Sequence, residues 1–444
     1  MHACAPSRPA TAVRSDDAAA ATAGVRVRPR DLALVLPFVG MPVAILLDGS
    51  AVVADGLAPL LGSAAAGEHL LLNLDICAVV LVSMGVWVAR GFRAPHGLWP
   101  FVLLLLSFSP ALLLTSFGPY SASKVMQMMT MMPLLIFGSL LVFDRPARRM
   151  AVLWVLAFFG SLVAVLAIAF PDPLFETRDA VVLRGSATIT TARAIGYAVV
   201  ALLCLGVLVR RIRMAALVTA AVLAVPLVLT GSRGPVVALA AAAIALAALR
   251  SRGSRLRTAL PVAGLGAVLA IALTSSFLPE AVASRFEVLF GGPLDQSSEA
   301  RVLLSHLALD AVWAHPLGLG WGDFASVVPA GLLAVVPGRE HVVYPHNLPL
   351  EVAVEGGLAA VAGLLLLTFA LIRAVRANAA DPSVAAATCL LVFAFVNSLF
   401  SSDINGNHLV WVLCAAVLAA RPEPTTRPRH AVSSQAPTLV TASR

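Results

Sequence analysis

Charge is scarce in this sequence. Only 12% of its 444 residues are charged, against 59% hydrophobic, and the mean hydropathy is +0.92; soluble domains carry about 25% charged residues. A soluble globular protein is excluded. No alternating strand pattern suggests a barrel, and the apolar runs are long enough to cross a hydrocarbon core of about 30 Å as helices. The fold class is therefore all-α, a polytopic membrane helical bundle.

Lysine is nearly missing: Lys124 stands alone, so the formal charge of +8 is almost wholly arginine. The arginines form no continuous patch but fall in short clusters between apolar runs, which argues for topology signals and against a nucleic-acid partner. Cys77, Cys204, Cys389 and Cys414 lie inside apolar runs and Cys4 in the N-terminal tail. No pair suits an extracytoplasmic disulfide, and all read as small packing residues. No internal repeat is visible.

What the sequence does hold is a series of apolar runs, at residues 32–47, 70–89, 99–117, 125–143, 151–170, 192–209, 214–230, 235–249, 258–275, 347–372, 383–401 and 407–420. Hydropathy thus predicts about twelve transmembrane helices, with 214–249 open to a reading as one kinked hairpin. Basic clusters at Arg26 to Arg30, Arg90 and Arg93, Arg145 to Arg149, Arg210 to Arg213, Arg250 to Arg257, Arg373 and Arg376, and Arg421 to Arg429 mark every second connection. This pattern puts both termini in the cytoplasm. Residues 1–31 and 421–444 read as disordered tails around a transmembrane domain at 32–420.

One connection departs from the rest. Between late spans, a polar-to-amphipathic stretch at 276–358 carries four of the nine histidines and three arginines, and its loop, 276–346, is predicted to be extracytoplasmic. Long loops in compact folds are usually functional. Arginines also sit on the outer side against the topological rule: Arg178, Arg184, Arg193, Arg233, Arg285, Arg301 and Arg339. Arginine there suits bidentate binding of an anionic phosphate group; a lipid headgroup or a structural ion pair is the competing explanation.

Four motifs refine this. Thr230-Gly231-Ser232-Arg233-Gly234-Pro235 joins two spans through a tight turn and would put Arg233 at a helix start among exposed backbone N–H groups. Gln296-Ser297-Ser298-Glu299 marks the N-terminus of a loop helix reaching Trp313 and stopping near Pro316. Arg301 on that helix either serves a ligand, pairs with Glu299 or lies on a solvated face. Gly318-Leu319-Gly320-Trp321-Gly322 is not a nucleotide loop, since Asp323 takes the final glycine position and no strand precedes it. It reads as a flexible turn that offers Trp321 for sugar stacking or a membrane-interface contact.

Tyr344-Pro345-His346-Asn347 precedes a long apolar helix whose opening turns carry Glu351 and Glu355-Gly356-Gly357. His346 at the membrane boundary is a candidate general base, which a nearby carboxylate would orient. The plain reading of Glu351 and Glu355 is favourable placement at the positive end of the helix. His341, His346 and Glu340 lack a zinc-site spacing, and there is no extracytoplasmic Asp-x-Asp for a metal-dependent glycosyltransferase.

Ser232-Arg233-Gly234, Arg301 ahead of Trp313 and His315-Pro316-Leu317-Gly318-Leu319-Gly320, His346-Asn347-x-x-Leu350 and Glu355-Gly356-Gly357 together resemble the O-antigen ligase and polysaccharide polymerase family. Motif order and the single large outer loop match as well, over about residues 180–372. Arg184-Gly185 is similar to the family's arginine ahead of a middle span, but Thr188-Ile189-Thr190-Thr191 replaces the Asn-Pro-type segment that often follows.

The resemblance implies a metal-independent, inverting glycosyltransferase without cofactor, in the cytoplasmic (inner) membrane, with its site on the extracytoplasmic side. It would pass a glycan from undecaprenyl diphosphate to a hydroxyl of a glycan or lipid acceptor, as ligase or polymerase. Its expected catalytic residues are His346, Arg233 and Arg301; its expected substrate contacts are Arg184, Trp321, Asn347 and Glu355. The alternative is a transporter or flippase for lipid-linked glycans, for which paired halves and intramembrane charges would be expected.

Overall fold

The computed structural model describes residues 25–48, 50, 70–176, 180–249, 259, 261–264, 266–267, 278–333 and 343–422. The described residues form helices and no strand. In chain order the helices are α1 (Pro29–Asp48), α2 (Leu70–Ala89), α3 (Trp99–Ser107), α4 (Ser109–Leu114), α5 (Pro119–Met129), α6 (Met131–Val142), α7 (Pro146–Ala169), α8 (Thr188–Leu208), α9 (Arg213–Leu229), α10 (Arg233–Leu249), α11 (Glu280–Glu287), α12 (Gln296–Ala314), α13 (Leu348–Ala377), α14 (Pro382–Ser398) and α15 (His408–Leu418). Single helical turns at Pro173–Glu176 and Ala330–Leu333, and short 3-10 helices at Arg210–Ile212, Val288–Phe290 and Phe324–Val327, accompany them.

Among the described residues, seven helices are long and apolar enough to cross a membrane, counting α5 with α6 as one, and four shorter apolar helices accompany them. They coincide with the apolar runs of the sequence except 258–275, which lies largely outside the described residues. The described residues thus account for eleven of the expected runs, as seven long and four short helices, and the twelfth falls outside them. The run 214–249 forms two separate helices, α9 and α10, and not one kinked hairpin.

Local chemistry sets several helix starts. Proline occupies the first turn of α3, α5, α7, α13 and α14, where its missing N–H costs nothing. Side-chain caps hold the N-terminus of α12, where Asp295 accepts from Ser298 N–H at 2.8 Å, and reinforce those of α13 and α14, where Asn347 accepts from Leu350 N–H at 3.1 Å and Asp381 from Ser383 N–H at 2.8 Å.

α8 is the axis of the bundle, with 78% of its most apolar window buried, against 11% for the peripheral α2. Close approach depends on glycine. A Cβ on Gly160 of α7 would stand 2.3 Å from the Ala194 carbonyl of α8, and one on Gly196 would stand 2.4 Å from the Phe393 ring of α14. The outer faces carry Leu81, Leu113, Phe158, Ile168, Ile244 and Leu365 exposed. Such a surface fits a lipid solvent, and the chain is a multi-pass membrane protein.

Residues 278–333 pack onto one end of this bundle. α12 begins and ends close to where the sequence predicts. Its Leu304, Ala308, Ala311 and Val312 pack with Phe324, Val328 and Val354 of α13, while Val302, Leu309 and Trp313 stay exposed. After α12 the chain threads a break in α13, at Gly357, whose φ is +67° and ψ −168°. There the N–H groups of Leu319 and Gly320 donate to the carbonyls of Val354 (2.9 Å) and Glu355 (3.2 Å), and Leu358 N–H donates to Pro316 O (2.9 Å). The two glycine motifs thus fit one another. A Cβ on Gly318 would lie 2.3 Å from Glu355 O, and one on Gly357 would lie 2.4 Å from Leu317 C.

Candidate functional site

The turn between α9 and α10 folds as its sequence predicts. Gly231 takes a φ of +69°, which only glycine adopts without cost, and Arg233 opens α10. Arg285 packs over that glycine, its Cδ 3.0 Å from where a Cβ would stand. Arg233 reaches across to the start of α12. Its Nη2 donates to Asp295 Oδ1 (3.1 Å), Asp295 Oδ2 (2.9 Å) and Ser298 Oγ (2.8 Å), while its Nη1 is buried without a hydrogen-bond partner among the described residues. Asp295 both caps α12 and holds Arg233. Burial works to raise its pKa, but the hydrogen bonds from Ser298 and Arg233 prevail and bring it to about 2.

Arg301 follows in the second turn of α12. Burial, then the nearby Arg233, lowers its pKa, and Asp295 and Tyr344 act in the other direction. Among the described residues it forms no ion pair with Glu299 or any other carboxylate. His346 completes the group just before α13. It is held in the left-handed region at φ +57°, with its ring 4.4 Å from that of Tyr344. Burial and the positive charge of Arg301 lower its pKa to about 4 against a weaker opposing effect of Asp403, so the imidazole is neutral at physiological pH. The three expected catalytic residues therefore converge.

The expected substrate contacts divide. Asn347 adjoins His346, but its side chain caps α13 and donates to Leu399 O at 3.4 Å. Arg184 is exposed at the same end of the bundle: Val181 N–H, three residues earlier, donates to Leu229 O beside the Arg233 turn. Trp321 offers no exposed face. It is fully buried, stacked on Phe108 at 4.4 Å, with its backbone N–H on Thr115 Oγ1 at 3.0 Å. A ring packed against Phe108, at the junction of α3 and α4, is a structural anchor, because its stacking surface is already taken.

Glu355 is enclosed too. Lys124 of α5 donates to Glu351 and to Glu355 Oε1, the latter at 2.6 Å, with all three side chains buried. Favourable placement on a helix dipole is thus not what holds these glutamates; one ammonium clamps the first two turns of α13. Each glutamate keeps a second oxygen buried without a partner among the described residues. Arg193 donates to Asn407 Oδ1 at 2.8 Å, a structural contact. Arg178, Arg339, Glu340 and His341 lie outside the described residues.

Three residues escaped the sequence reading. Asp403, between α14 and α15, is the carboxylate whose field reaches His346, and it accepts from Tyr120 Oη at 3.3 Å. Asp295 is the partner of Arg233. The signals were present but faint: Asp403 sits in the polar string Ser401-Ser402-Asp403-Ile404-Asn405-Gly406-Asn407 between two apolar runs, and Lys124 is the single lysine inside another.

Residues 218–365 match the Wzy_C family model, described as O-antigen ligase. The match supports an O-antigen ligase family assignment. The matched segment contains Arg233, Arg301 and His346, and leaves Lys124, Arg184 and Asp403 outside it. Proteins of the O-antigen ligase family are glycosyl-transferring membrane enzymes, ligases or polymerases. No curated protein matches the chain.

Proposed function

We propose that this protein transfers a glycan from a polyprenyl diphosphate, of the undecaprenyl type, to an acceptor hydroxyl at the extracytoplasmic face of the cytoplasmic membrane. The observation that carries the reading is the placement of two incompletely paired arginines beside a neutral histidine: Arg233 with Nη1 buried and unpartnered, Arg301 without an ion pair among the described residues, and His346.

A diphosphate bound against Arg233 and Arg301 supplies the missing acceptors. The acceptor oxygen attacks the sugar C1, the C1–O bond to the diphosphate breaks, and negative charge grows on the departing phosphate, where fixed arginines stabilise the transition state more than the ground state. His346 takes the hydroxyl proton. Its low pKa in the free protein makes it a weak base, and the incoming diphosphate offsets the field of Arg301 and raises that pKa. Base strength thus rises when the donor arrives. Attack opposite the leaving group inverts the anomeric centre, and the step needs no metal.

The test uses purified protein in vesicles with polyprenyl-diphosphate-linked glycan, candidate acceptors and a chelator, with wild type beside His346→Ala and Arg233→Ala. Product from wild type alone is expected, and its size distinguishes a polymer ladder from a single attachment. Full transfer by folded, membrane-inserted variants would sink these roles. The second reading, a transporter for lipid-linked glycans, rests on the charges of Lys124, Glu351 and Glu355 buried inside the bundle. Carrier that changes leaflet with its glycan still attached would establish it.

A further inference from the structure

At the opposite end of the bundle lies a second cluster of arginines around a cavity. The span α5–α6 runs 24 residues from Pro119, beside the candidate site, to Val142, or about 36 Å along the helix. Just beyond it, Arg90 at the end of α2 and Arg145 and Arg148 at the start of α7 line a cavity of about 510 Å³. Its remaining wall is apolar, with Leu34 from α1 and Leu81 and Gly85 from α2.

Pairing within the cluster is incomplete. Arg90 Nη2 contacts Asp144 Oδ2 and donates to Leu141 O, both at 2.6 Å, and Arg148 Nη1 donates to Val142 O at 3.1 Å. Arg148 stands 3.5 Å from Asp144 and 3.7 Å from Asp31, yet its Nε is buried with no hydrogen-bond partner among the described residues. The exposed Arg145 has no side-chain hydrogen bond or ion pair there. Three guanidinium groups face two carboxylates, leaving one positive charge uncompensated. The N-terminus of α7, Pro146, opens at the same place and adds its partial positive charge.

We propose that this cavity binds an anionic glycerophospholipid, with the phosphate at Arg145 and Arg148 and an acyl chain along α1 and α2. The apolar wall distinguishes a lipid from a free anion, since inorganic phosphate would leave it unfilled. Basic pockets between membrane helices take anionic headgroups by this combination. The site is independent of the transfer reading and its test does not measure transfer.

The experiment is native mass spectrometry of the full chain in detergent, titrated with phosphatidylglycerol, with phosphatidylcholine of the same chains, and with inorganic phosphate. Arg145→Gln removes an exposed charge, and Gly85→Leu projects into open space, because a Cβ there meets nothing within 4 Å. Phosphatidylglycerol is expected to bind more tightly than phosphatidylcholine, to weaken about 5-fold in Arg145→Gln and to be excluded from this site in Gly85→Leu, with no displacement by phosphate. Equal affinity for the two lipids, either variant binding like wild type, or displacement by inorganic phosphate would overturn the proposal.

Discussion

Arg301 lies close enough to His346 to help keep its imidazole uncharged, and Arg301 itself has no ion pair among the described residues. In the proposed mechanism the base and the charge that governs it are therefore one unit, and pH should report on both.

A general base works only when unprotonated, so a pKa lowered from 6.5 to about 4 extends activity towards acid. The acid limb of kcat/KM is expected near pH 4. In Arg301→Gln the positive field is gone while burial, the larger cause, remains, so the limb moves up but stays below 6.5. The kcat limb, which reports the donor complex, is expected above that of kcat/KM. An Arg301→Gln limb unmoved from wild type would separate the two residues.

Arg233→Ala should lower kcat by about 10²–10³, as for loss of one donor aimed at developing charge. Arg233→Lys keeps the charge but loses the fork that holds Asp295 and Ser298 through one nitrogen and leaves the other for a ligand. Its kcat should fall between the two in single-turnover assays. Lysine at wild-type rate would show that charge alone suffices.

Lys124→Met leaves two buried glutamates without their cation. Breaking such a pair costs about 3–5 kcal/mol, which thermal unfolding in detergent should register as a large drop in Tm. Adding Glu351→Gln and Glu355→Gln to that variant should recover most of the loss. An unchanged Tm for Lys124→Met alone would mean that the cluster contributes nothing to stability.

Gly318→Ala sets a Cβ against Glu355 O at a φ of +90°, whereas a Cβ on Gly331 meets nothing within 4 Å. Strained backbone positions cost on the order of 1–3 kcal/mol. Gly318→Ala should lower Tm visibly and Gly331→Ala should not; equal behaviour would show that the contact yields.

Much of the bundle is legible in the sequence because helix burial in lipid writes itself as apolar length, and proline and Asx residues mark the starts. The convergence of Arg233, Arg301 and His346 was visible only as an ordered set of motifs, since no local spacing brings α10, α12 and the residues before α13 together. Trp321 was misread because an aromatic in a glycine turn looks exposed until its partner Phe108, far earlier in the chain, is known. Lys124 and its glutamates were hidden for the same reason: they sit on α5 and α13, 227 and 231 residues apart. Asp403 lacked any pattern beyond polarity.

The threading of residues 316–320 through the break in α13 makes loop and helix a single heritable cassette. Backbone from one fills the space that glycine leaves in the other. A chimaera that grafts only the loop, or only the helix, from a protein with different acceptor preference would misfit at Gly318 and Gly357. Exchange of specificity by recombination would then have to move both pieces together, with breakpoints before α12 and after Leu358.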